Sequence, residues 1–98
     1  MEKRTPHCPL LNVKSLIDAG KVRSTFSALA GASLLEISFE EMLSIIRTLT
    51  IKEFYKSMTT HNNHQVWHDV YHARTESAEI YIKLTVIEDV LIVSFKEL

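Results

Sequence analysis

Four of the chain's five histidines fall in "HNNHQVWHDVYH", residues 61–72, at intervals of three, four and four. On a helix that spacing stacks His61, His64, His68 and His72 on one face, as the ligands of a zinc site are arranged. On a strand it does not. Val66, His68, Val70 and His72 then share one side, Gln65, Trp67, Asp69 and Tyr71 the other, and His61 and His64 drop into the preceding connection. The β-branched and aromatic residues of "QVWHDVYH" favour the strand. Zinc takes four organised donors, so the two loop histidines read as loop residues rather than ligands. Cys8 is the only cysteine, and can anchor neither a Cys-rich metal site nor an intramolecular disulfide. Neither a metal nor any other cofactor is expected.

The chemistry must then come from what surrounds His68. In "AEIYIKLTVIEDVLIVSFKEL", Ile80, Ile82, Leu84 and Val86 alternate with Glu79, Tyr81, Lys83 and Thr85; Leu91, Val93 and Phe95 then alternate with Ile92, Ser94 and Lys96. Two strands joined at Glu88-Asp89 put Leu84 opposite Val93 and Ile82 opposite Phe95 on the core side, with Tyr81 opposite Lys96 on the other. A turn through "RTES" sets His68 opposite Lys83, and a loop "THNNH" sets Lys56 opposite His68. Trp67 and Tyr71 turn toward the core. Four neighbouring strands so gather Lys56, His68, Tyr81, Lys83 and Lys96 on one exposed face, in registers where a one-residue slip reverses a face.

Ammonium groups, an imidazole and a phenol without paired carboxylates suit metal-free cleavage of RNA. The 2′-hydroxyl attacks the adjacent phosphorus, a group titrating near neutrality moves protons, and cations stabilise the phosphorane-like transition state. His68, with an ordinary imidazole pKa of about 6.5, is given the proton transfer. Lys56 and Lys96 hold the phosphate, and Tyr81 donates a hydrogen bond or stacks on a base. Tyr55, Lys83 and Arg74 are candidate RNA contacts. Taken singly, a strand lysine is usually a solvated charge and a strand tyrosine half-buried packing. Convergence on one face is what favours a site.

The elements that must position these groups follow from the rest of the chain. Its 98 residues suffice for a single domain, residues 1–98, with one core. With 46% hydrophobic residues and a net charge of −1 the chain reads as an ordinary globular protein. Any nucleic acid must be held by a few placed cations rather than by a general field. No apolar run approaches the ~18 residues of a membrane span, and "MEKRTPH" lacks the apolar stretch of a signal peptide, so the expected location is cytoplasmic with no membrane partner. Pro9 suits a first helical position, Leu10, Val13, Leu16 and Ile17 follow at helical spacing, and Gly20 fits the position past the end. "KVRST" is a short strand or an extended link. Phe26, Leu29, Ala30, Leu34 and Leu35 predict a weaker helix interrupted near Gly31. "SFEEMLSIIRTL" is the clearest helix, with a capping box at Ser38 and Glu41 and an apolar face of Met42, Ile45, Ile46 and Leu49. From Phe54 onward the period changes to two. The expected fold is α+β: about three N-terminal helices packed on one face of a C-terminal antiparallel sheet of at least four strands.

"FYKSMTT", "VWHDVY" and "YIKLTVIEDVLIVSFKE" resemble the MqsR, or motility quorum-sensing regulator, family of RelE-like mRNA interferase toxins. The resemblance runs from "MEKRTPH" to "VSFKE" and is weakest over residues 25–50. It implies a RelE-like fold and a ribosome-independent, metal-independent endoribonuclease that cuts mRNA, with a preference for GC-containing triplets such as GCU. It implies a cognate MqsA-like antitoxin that binds zinc in one domain and DNA through a helix-turn-helix in another. The toxin–antitoxin complex then binds operator DNA, the zinc belongs to the partner, and the setting is stress response, persistence and biofilm control. The family's functional positions correspond to Lys56, His68, Tyr81 and Lys96. At His68 the family pattern carries an amide, so this imidazole either keeps a neutral hydrogen bond to RNA or adds acid/base capacity. Two alternatives stand beside the toxin: a non-catalytic co-regulator acting through the antitoxin on DNA, and a metalloprotein using the histidines. The chain itself shows no helix-turn-helix with a basic recognition helix. An antitoxin could dock by adding a strand to a sheet edge or by covering the site.

Overall fold

The structure, a computed structural model, describes residues 1–98. A two-residue strand, β1 (Glu2–Lys3), precedes helix α1 (Leu10–Asp18). Pro9 stands just before the helix rather than inside it, its carbonyl accepting from the amides of Asn12 and Val13. Gly20 adopts φ +76°, a left-handed conformation costly for a side chain, and with Lys21 returns its amide to the last helical turn. "KVRST" forms strand β2 (Val22–Ser24), and helix α2 (Phe26–Leu34) follows, capped by the Thr25 hydroxyl accepting from the Ala28 amide. The expected interruption at Gly31 does not occur. There α2 lies directly against the backbone of the last strand: a Cβ at Gly31 would collide with the carbonyl oxygen of Phe95. Ala28 and Ala32, both fully buried, complete the narrow stripe that permits this approach. Helix α3 (Phe39–Arg47) carries the expected Ser38–Glu41 capping box and buries Met42 and Ile46. A 3₁₀ turn, Ile51–Glu53, leads into the sheet.

The later strands are β3 (Phe54–Thr59), β4 (Trp67–Arg74), β5 (Glu79–Ile87) and β6 (Asp89–Glu97). Sheet order is β1-β3-β4-β5-β6-β2, antiparallel throughout except where β2 runs parallel to β6. The fold is therefore α+β, and two short edge strands extend the four expected to six. One face of the sheet presents Tyr71, Ile80, Ile82, Leu84, Ile92 and Phe95 to Val13, Ile17, Met42 and Ile46 of the helices, which makes the core. No helix is long and apolar enough to cross a membrane.

Three expected registers need correction. Tyr81 does face Lys96 and Ile82 does face Phe95, but a bulge beyond Lys83 sets Leu84 against Ile92, not Val93. The extra residue reverses parity along β6: Val90 and Ile92 are buried near the turn and Phe95 beyond the bulge, while Leu91 and Val93 are only half-buried. The turn itself is tight, with Glu88 alone between the paired Ile87 and Asp89 at φ +68°. The other two registers slip by two. Lys83 faces Val70 rather than His68, because the β4–β5 turn closes at Thr75 and Ala78, where the Thr75 hydroxyl also accepts from the Ser77 and Ala78 amides. Lys56 likewise faces Val70, and Met58 faces His68, because the Thr60 amide bonds the Val66 carbonyl and the five-residue loop moves one residue along, to 61–65. Side chains alternate with a period of two, so a slip of two exchanges partners but keeps every side chain on its face.

Candidate active site

On the face away from the helices one row of side chains crosses four strands. The Tyr55 ring stacks on His72, with centroids 4.3 Å apart and planes at 19°. His72 pairs across β4 and β5 with Tyr81, their rings 6.0 Å apart, and Tyr81 pairs in turn with Lys96, whose Nζ lies 5.3 Å from the phenol ring. At the other end Lys56 Nζ lies 5.5 Å from the Tyr55 ring. Two ammonium groups thus bracket three rings. Tyr55 joins the row through an irregularity between Phe54 and Lys56: Phe54 packs edge-on against Tyr71 in the core, and the next two side chains turn outward.

The charges follow from the neighbours. Lys56 Nζ sits 2.7 Å from a Glu2 carboxylate oxygen, which raises the ammonium pKa and lowers that of the acid, so both stay ionised. Burial, then Lys96 and Lys56, push the Lys83 pKa down, so three ammonium groups share this surface. Burial raises the Tyr81 phenol against the opposing pull of Lys56, leaving it a hydrogen-bond donor across neutral pH. In a chain of net charge −1 this is a local cationic surface of the kind that attracts a phosphodiester.

His68 shares the face but lies two strand repeats from His72, opposite Met58. Burial and Lys83 hold its pKa below the usual imidazole value in spite of nearby Asp69, so the ring is neutral at pH 7. Asp69 points to the other side and is buried there. Its oxygens accept from the His7 and Cys8 amides and the Ser57 hydroxyl, an arrangement that anchors the N-terminal segment. Trp67 is half-buried under a stacked His7 ring and the Lys3 ammonium. Tyr71 is fully buried. His61 and His64 are exposed in the β3–β4 connection, residues 61–72 contain no helix, and no three His, Cys, Asp or Glu side chains converge. Arg74 stands apart from the row, paired with Glu79 at 2.6 Å and 80% exposed. It borders a groove of about 640 Å³ between the end of α3 and the ends of β4 and β5, and His72 lines the same groove. Sequence reasoning passed over His72. Parity put it on the right side, but only the register reveals that it, and not His68, lies opposite Tyr81.

A sequence profile of the family described as "Motility quorum-sensing regulator, toxin of MqsA" matches residues 5–97. The chain is also 54% identical over 97 residues, 99% of each protein, to the mRNA interferase toxin MqsR of Escherichia coli strain K12. The matched span takes in all three helices, strands β2 to β6 and every residue of the cationic row. On that extent of similarity this chain belongs to the motility quorum-sensing regulator toxin family.

Proposed function

We propose that the chain is the toxin of a toxin–antitoxin pair and an endoribonuclease that cuts mRNA without ribosome or metal. The observation that carries this reading is the row Lys56–Tyr55–His72–Tyr81–Lys96, with Lys83 beside it. A phosphodiester lying along the row meets ammonium groups that offset the charge growing on phosphorus-bound oxygens as the 2′-hydroxyl attacks. The Tyr81 phenol donates to one of those oxygens. Tyr55, 45% exposed, offers a ring on which a base can stack. His68, neutral at pH 7, donates a hydrogen bond to RNA in the place where the family carries an amide. The surface of the row is open, as a single-stranded substrate requires. Family membership supports an MqsA-like antitoxin as the partner that silences the activity, with the antitoxin supplying zinc and the DNA-binding helix-turn-helix, and GC-containing triplets such as GCU as the cut sites. A cytoplasmic location follows from an mRNA substrate.

Incubating the purified protein with a defined RNA containing GCU, with and without EDTA, beside a Lys56→Ala variant, tests the reading. Cleavage survives EDTA and falls at least ~100-fold in the variant, the scale expected for removing one group that stabilises transition-state charge. Cleavage abolished by EDTA and restored by zinc would identify a metalloenzyme. No cleavage, with antitoxin binding intact, would leave a co-regulator.

A further inference from the structure

We propose that His72, rather than His68, is the catalytic residue that moves the proton in this site. The inference rests on the ribonuclease reading above and names the base that it lacks. His72 occupies the centre of the row, between Tyr55 and Tyr81, with a lysine at each end. His68 lies about 13 Å away along β4, two strand repeats from His72 and opposite Met58. A phosphodiester spanning the lysines passes over the first ring and not the second. His72 is also reachable, because it lines the groove of about 640 Å³ that opens at the end of the row.

The groups around His72 leave its ring free to serve as a general base. Lys56 from β3 and Arg74 on its own strand are cations, and Tyr55 and Tyr81 are neutral phenols. Lys52 adds a third positive charge from the 3₁₀ turn. The two carboxylates bordering the groove are engaged elsewhere: Glu53 accepts from the Thr50 amide and hydroxyl, and Glu79 pairs with Arg74. Neither carboxylate is thus directed at the ring. The ring nitrogens of His72 are placed to accept a proton from a substrate lying on the row. An imidazole nitrogen takes the proton of the 2′-hydroxyl as the O2′–P bond forms and the P–O5′ bond breaks. The departing 5′-oxygen takes a proton from water, and the imidazolium returns its own to solvent. The products are a 2′,3′-cyclic phosphate and a 5′-hydroxyl.

The test is kcat/KM against pH, from 5 to 9, on one defined RNA for the unaltered protein, His72→Gln, His72→Phe and His68→Gln. The unaltered protein shows a rate that falls on the acid side as the base becomes protonated. His72→Gln loses ~10²–10⁴ in rate and its residual activity no longer has that acid limb. His72→Phe keeps a ring on Tyr55 and is equally slow, which separates proton transfer from stacking. His68→Gln keeps the limb. An acid limb that persists in His72→Gln, or disappears in His68→Gln, overturns the assignment while leaving the ribonuclease reading in place. A His72→Phe variant as fast as the unaltered protein overturns it too. If the unaltered protein does not cut RNA, both readings fall.

Discussion

Two imidazoles on one strand differ because their surroundings differ. His68 is pressed down by burial and by Lys83, whereas His72 is held between rings at the mouth of a groove. The consequence for His68 is a stability effect with a definite sign. Its folded pKa lies below the unfolded value of 6.5, so the unfolded chain binds more protons as pH drops through that value. Stability is therefore fullest above about pH 7 and declines as pH falls from ~6.5 toward the depressed folded value. Urea unfolding at pH 7.5 and pH 5 should show a smaller difference in His68→Gln than in the unaltered protein; an equal difference would assign the loss to other groups. Placement of Lys56, His68, Tyr81, Lys83 and Lys96 on one face was legible in the sequence because alternation survives a slip of two residues. The choice between His68 and His72 was not, since it needs the absolute register, which is set by the Thr60–Val66 and Thr75–Ala78 closures. Tyr55 is an expected RNA contact, but its place in the row depends on the irregularity after Phe54, which no residue type announces.

At the scale of elements, α2 and β6 are tied by a single missing side chain. Phe95 enters the core beneath Gly31 while the adjacent Lys96 projects into the row, so the seat of the helix and the position of a site lysine are set by the same two residues of strand. Gly31→Ala forces α2 away from the Phe95 carbonyl. It should cost about 2–3 kcal/mol and, for a chain of this size, lower Tm by ~10–20 °C, measurable by circular dichroism. An unchanged Tm would mean that α2 is free to shift. Helix ends were readable where a local rule governs them, as at the Ser38–Glu41 box and Gly20. Gly31 looks like a break because helix propensity penalises glycine, whereas the reason for it lies on a strand far along the chain.

For the whole molecule, the change of period at Phe54 was enough to predict helices on one side of an antiparallel sheet. The edge strands β1 and β2, of two and three residues, are too short to show a period. What fastens the N-terminal edge is Asp69, 5% exposed, which joins residues 7 and 8 to β3 and β4. Asp69→Ala leaves two amides and a hydroxyl without their acceptor and should cost about 3 kcal/mol. Hydrogen exchange at the His7 and Cys8 amides should accelerate in step; unchanged protection there would place the anchor elsewhere. Each of four successive strands contributes to the row, and its last member, Lys96, stands near the end of β6. A nascent polypeptide broken off before residue 89 therefore lacks the strand that carries Lys96, and the row is closed only after residues 89–97 have been made.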